Sequence, residues 1–67
     1  MSKVLRKFGD HRESLEAAAT GEMDLRDNYK LYHKVYRFYK KTGVAFTGDT
    51  TIDYNMIVHY LYEDLFQ

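Results

Sequence analysis

An all-α fold, a small compact three-helix domain, is predicted for this 67-residue chain by three features. Two long segments carry apolar residues at the three- and four-residue spacing that lines one face of a helix. Capping residues or glycines stand at the ends of those segments. Proline is absent, and no second run of alternating β-branched residues exists for a strand to pair with. The expected helices lie near 11–20, 25–42 and 51–66 within one domain spanning 1–67.

The central segment, DLRDNYKLYHKVYRFYKKTG at 24–43, predicts the helix around which the others are arranged. Asp24 is an N-cap candidate with Asp27 three residues on, Lys40 and Lys41 stand where the helix dipole favours cations, and Gly43 suits a left-handed stop. At 100° per residue Leu25, Tyr29, Tyr32, Tyr36 and Tyr39 make one stripe, and Leu31, Val35 and Phe38 make a second beside it. Both stripes are assigned to core or interface. The opposite half carries Arg26, Lys30, His33, Lys34, Arg37, Lys40 and Lys41.

In SKVLRKF, residues 2–8, Val4, Leu5 and Phe8 share one side of a short helical turn that Gly9 is expected to break. Asp10 with Glu13 resembles a capping box, and the following helix, stopped by Gly21, offers only Leu15 and Ala17, Ala18 and Ala19 for packing. It is therefore expected to be a short brace. Residues 43–50, GVAFTGDT, predict a loop whose Phe46 plugs the end of the core. Thr50, followed three residues later by Asp53, marks the last helix start. Along that helix Tyr54, Ile57, Val58, Leu61, Tyr62 and Leu65 cluster on one face, with Asn55, His59 and Glu63 opposite.

A chain this short buries only about 60% of the surface its unfolded form exposes, so a staple or a partner is expected. There is no cysteine for a disulfide or a thiolate site, and with no signal peptide or long apolar run the chain is expected to be cytoplasmic, with no membrane role. Homo-oligomerisation is the remaining staple, and seven Tyr with four Phe supply interface anchors. The net charge is zero, ten bases against ten acids, but the distribution is uneven. Lys3, Arg6, Lys7 and Arg12 dominate residues 1–12, acids dominate 13–27, five bases and no acid fill 28–41, and only acids follow.

His11, His33 and His59 fall on three different expected helices without metal-ligand spacing, so neither metal nor cofactor is expected. Glu63 with Asp64, or Ser14 near His11, would be unremarkable in any small chain, and no enzyme activity is expected. The Gly48–Thr51 stretch lacks the further glycines, the Lys and the preceding strand of a phosphate loop. The basic face is harder to account for by solvation. Its like-charge pairs at i, i+4, such as Lys30 with Lys34 and Arg37 with Lys41, each cost roughly 0.2–0.5 kcal/mol in an isolated helix. An acidic surface on a partner protein is the expected counterpart, and nucleic-acid phosphates are the alternative. The linker at 43–50 is too long for a helix-turn-helix. The expected function is a small non-catalytic regulator or inhibitor; stand-alone host-modulating proteins of viruses and plasmids offer an analogy in general appearance.

Overall fold

A computed structural model describes residues 2–67. Four α-helices follow in order, α1 (Lys3–Phe8), α2 (Arg12–Ala19), α3 (Tyr29–Lys41) and α4 (Thr50–Phe66), with 3-10 turns at Gly9–His11 and Leu25–Asp27. No strand occurs among the described residues. The three expected helices are thus present, and the N-terminal turn is a helix of its own. Ser2 caps it by accepting a bond from the Leu5 N–H at 3.3 Å.

The helix starts differ from those expected, for local reasons. Gly9 stays in the right-handed helical region (φ −55°) and leads into the 3-10 turn instead of breaking the chain. His11, with no capping side-chain bond, precedes α2, so Asp10 is not its cap. Asp24 caps only the 3-10 turn, accepting from the Arg26 N–H, whereas α3 proper begins after Asn28, whose side chain accepts from Leu31 N–H. For α4 the cap is Asp49, which accepts from Ile52 N–H at 3.1 Å; Thr50 is already inside the helix. For α3 and α4 an amide or carboxylate one or more residues from the expected cap reaches an N–H donor that the first helical turn leaves unpaired.

The helix stops fall where expected. Gly43 has φ +105°, its N–H bonds Lys40 O at 3.2 Å and the Val44 N–H bonds Tyr39 O at 3.2 Å. These are the paired bonds of a Schellman ending, and Gly21 (φ +83°) closes α2 with the same pattern onto Ala18 and Ala17. A Cβ on Gly43 would meet nothing within 4 Å, so the penalty for a side chain there is purely one of backbone conformation. Gly43→Val is expected to cost about 1 kcal/mol or more, read as a lower melting temperature with an unchanged helical spectrum.

Helix α4 is the hub of the core. Helix α2 lies along it most extensively, α1 packs on it next, and α3 closes the remaining side. Val4, Leu15, Leu25, Val35, Ile57 and Leu61 are completely buried where these elements meet. The face of α3 turned inward is Leu31, Val35 and Tyr39, an i, i+4, i+8 row. The tyrosine stripe does not form the seam: Tyr29 is 68% exposed, Tyr32 and Tyr36 are half-buried, and only Tyr39 is core. Its hydroxyl donates to Asp64 Oδ2 at 2.7 Å, which supplies the partner a buried phenol requires, and burial pushes its pKa up. On α4, Tyr62 is 45% exposed although expected on the packed face, and Asp53 is buried.

Phe46 packs as the loop residue expected to plug the core end, its ring stacked on Tyr36 at 4.3 Å between centroids. The loop is held by Asp53. One carboxylate oxygen accepts from the Thr47 N–H and hydroxyl, both at 2.8 Å, and the other accepts from Gly48 N–H at 2.9 Å. Gly48 turns with φ +90°, a conformation glycine adopts without strain.

Candidate interaction surface

Helix α3 presents Lys30, His33, Lys34, Arg37, Lys40 and Lys41 to solvent, because its Leu31, Val35 and Tyr39 row is committed to the core. Among the described residues none of these side chains forms an ion pair; the bridges present are Arg12 with Glu16, Arg26 with Asp24, and His59 with Glu63. The acids of α4 therefore do not neutralise the basic face. Glu63 faces His59, and Asp64 is taken by the Tyr39 hydroxyl.

Arg26 is the exception within the expected face. It lies on the 3-10 turn before α3, and its guanidinium grips Asp24 through Nε at 3.0 Å and Nη2 at 2.7 Å. The same group lies 4.4 Å from the centroid of the Tyr54 ring. The Arg26 side-chain bond holds the Asp24 carboxyl down at about 2, and Arg26 is raised in turn. Arg26 thus serves the chain's own turn. Residues 30–41 carry the unpaired charge.

Two hollows flank the basic ridge. On one side an open hollow of about 340 Å³ lies among Tyr29, Tyr32, Tyr36 and Arg26 of the α3 side and Gly48 and Thr50 of the loop and α4. Its aromatic wall is ordered by contacts within the chain: Tyr29 stacks on His33 at 5.9 Å, Tyr32 leans on Tyr54 at 5.9 Å, and Tyr36 rests on Phe46. Burial raises the pKa of Tyr32 and Tyr54, so both phenols stay neutral and able to donate at physiological pH. The Asp53 clamp fixes the loop side of this hollow, because Gly48 is one of its donors.

On the other side lies a cleft of about 480 Å³ between the α1 and 3-10 segment and α3. Lys7 and His11 line it from the first segment, and Lys34, Arg37 and Lys41 from α3. Asp10 is the one carboxylate among the lining residues. The floor is the edge-to-face pair of Phe8 and Phe38, with centroids 5.7 Å apart at 81°, and it pins α1 to α3. Lys7 Nζ stands 6.0 Å from the Phe8 centroid and 5.9 Å from that of Phe38.

The sequence places the basic residues of α3 on one face correctly but does not reveal that Lys7 and His11 join them. The one available signal is the excess of bases in residues 1–12. Among the described residues no group of three or more His, Asp or Glu side chains gathers as a metal ion would require. No helix there is long and apolar enough to cross a membrane. The chain matches no protein-family model, no curated protein and no solved structure.

Proposed function

We propose that this chain is a non-catalytic interaction module, a small regulator or inhibitor that acts by docking the outer face of α3 onto an acidic surface of a partner protein. The observation that carries the proposal is the row Lys30, Lys34, Arg37, Lys40 and Lys41, exposed and ion-paired with no carboxylate among the described residues, beside an ordered wall of tyrosines. Tyrosine and arginine at the centre of a patch are the residue types that dominate binding energy, while lysines at its rim steer and select. A cytoplasmic setting belongs to the same reading.

Capture of a partner from the source cell tests it, with Lys30→Glu/Lys40→Glu as the charge-reversed control. The reversed protein should lose the partner. Once the partner is in hand, Tyr29→Ala should cost roughly 1–2 kcal/mol of binding and any single Lys→Ala less than 1 kcal/mol. Nucleic acid is the alternative occupant of the ridge, and salt separates the two. Neutralising about five phosphates would make log affinity fall with log salt at a slope near −4 to −5, and a protein partner gives a shallower slope. With zero net charge, no binding to random duplex is expected in about 150 mM salt; micromolar binding there would replace the protein partner by nucleic acid.

Self-association is a further part of the proposal, but its surface moves. Leu31 and Val35 are covered within the chain, so a second copy would be met by the exposed Ile52, Tyr62 and Phe66 of α4 or by Tyr29. Its mark is a melting temperature that rises with protein concentration.

A further inference from the structure

We infer that the cleft between the N-terminal segment and α3 is a binding site for a compact phosphoryl anion, held by Lys7, Lys34, Arg37 and Lys41 over the Phe8–Phe38 floor. The inference stands apart from protein docking, because it depends on a residue outside α3 and on a concavity in place of a ridge.

Four formal cations from two segments of the chain, some thirty residues apart in sequence, line one hollow. A single carboxylate, Asp10, shares that hollow, and it forms no ion pair with any of them. Like charges gathered in this way repel, and among the described residues none of them is ion-paired with an acid. The pairing of Phe8 with Phe38 brings the two segments together, so the cations are gathered by apolar packing. Lys7 is further positioned by lying over both rings. Lys34, Arg37 and Lys41 follow at i, i+3 and i+7 on α3 and therefore project from one side of that helix. The result is a partly ordered set of donors around a space of about 480 Å³, within the size range of small-ligand sites.

The chemistry of the donors selects the ligand class. Arg37 offers a planar fork that matches two oxygens of a phosphoryl group, and the three lysines add point charges around it. A carboxylate would satisfy the fork but leave most of the positive charge uncompensated. A polyphosphate or a terminal phosphate group concentrates several negative oxygens in one small volume and meets the whole set. The floor is two hydrocarbon rings set edge to face, with Phe8 nearly covered, Phe38 half-buried and Lys7 over both, so no open base-sized stacking platform is offered.

Titration of the isotope-labelled protein with pyrophosphate in about 50 mM NaCl, followed by amide chemical shifts, tests the site. Saturable shifts confined to residues around 7–11 and 34–41, with Kd on the order of 100 µM, are expected. Arg37→Glu and Lys41→Glu should each weaken binding about tenfold or more, whereas Lys30→Glu, one turn beyond the cleft lining, should weaken it only about threefold or less. Equal weakening by Lys30→Glu and Arg37→Glu would mean a diffuse field and would overturn the site, as would unsaturated, dispersed shifts at about 5 mM pyrophosphate. Competition distinguishes the source of the phosphoryl group. Displacement of pyrophosphate by a single-stranded oligonucleotide only when it bears a 5′-phosphate assigns the cleft to terminal phosphates. Equal displacement without the 5′-phosphate assigns it to backbone phosphodiesters, and no displacement assigns it to free polyphosphate. Lys7→Glu separates this inference from the proposed function: it should weaken pyrophosphate binding about tenfold or more and leave capture of a protein partner through Tyr29, Lys30 and Lys40 of α3 intact.

Discussion

Leu61→Ala is expected to leave the chain largely unfolded at 37 °C, or to lower its melting temperature by roughly 15 °C or more if it stays folded. Leu61 is completely buried on α4, the helix on which α1, α2 and α3 all pack, so the vacated space borders several elements at once. Truncating a buried leucine costs about 2–5 kcal/mol through lost transfer energy and the residual cavity. At roughly 0.05–0.15 kcal/mol per residue, a domain of this length has only about 3–10 kcal/mol in total. The substitution also isolates its cause, because alanine is the better helix former and the propensity change opposes the loss. Ile52→Ala on the same helix is the control: Ile52 is 50% exposed, and the expected cost is well under about 1 kcal/mol. Thermal unfolding followed by circular dichroism decides it; similar melting temperatures for the two variants would refute α4 as the hub of the core.

The second large effect is expected at Asp53, whose carboxylate ties the loop of residues 47–48 to the start of α4. It is 2% exposed and accepts three hydrogen bonds, two of them from backbone N–H groups that have no other partner in the loop. Asp53→Ala should lower the melting temperature by roughly 10–20 °C, because removing a buried acceptor leaves its donors desolvated and unpaired. Asp53→Asn should cost less, since one oxygen remains, but its amide NH2 then faces a donor. Near the N-terminus of α4 the lost negative charge also removes a favourable interaction with the helix dipole. The substitution should carry a pH signature. Burial pushes the Asp53 carboxyl up, but the bonds from Thr47 and Gly48 outweigh it, and the net shift is down from 3.8. A carboxyl lowered on folding stabilises the fold at pH above its unfolded value, and that stability is lost as pH falls through the folded value. Asp24, held at about 2 by Arg26, acts in the same direction between about pH 4 and pH 2. Wild type should therefore lose stability on the acid side, and Asp53→Asn should lose less of it over the same range. An identical acid limb in the two proteins would show that the carboxylate is not clamped.

The helices were legible because their determinants are local. Hydrogen bonds between residues i and i+4, a carboxylate or amide reaching an N–H two or three residues on, and a glycine released into φ > 0 all act within one or two turns. Residues 12–19, 29–41 and 50–66 are helical for those reasons, and Gly21 and Gly43 end two of them as expected. Cap positions were legible only to within a few residues, since Asp24, Asn28, Asp49 and Thr50 all offer acceptors and tertiary packing selects among them. The inner face of α3 was ambiguous because tyrosine satisfies an apolar periodicity as well as leucine does. What decides is the hydroxyl: Leu31 and Val35 bury without a polar debt, whereas a buried phenol must find a partner, and Tyr39 alone of that stripe reaches one, on the half-buried Asp64. The basic ridge followed from spacing within one helix, and so its cations at residues 30–41 were visible in the sequence. The cleft was not, because Lys7 meets Lys34 and Arg37 only through the packing of Phe8 on Phe38, a contact between segments that no local pattern encodes.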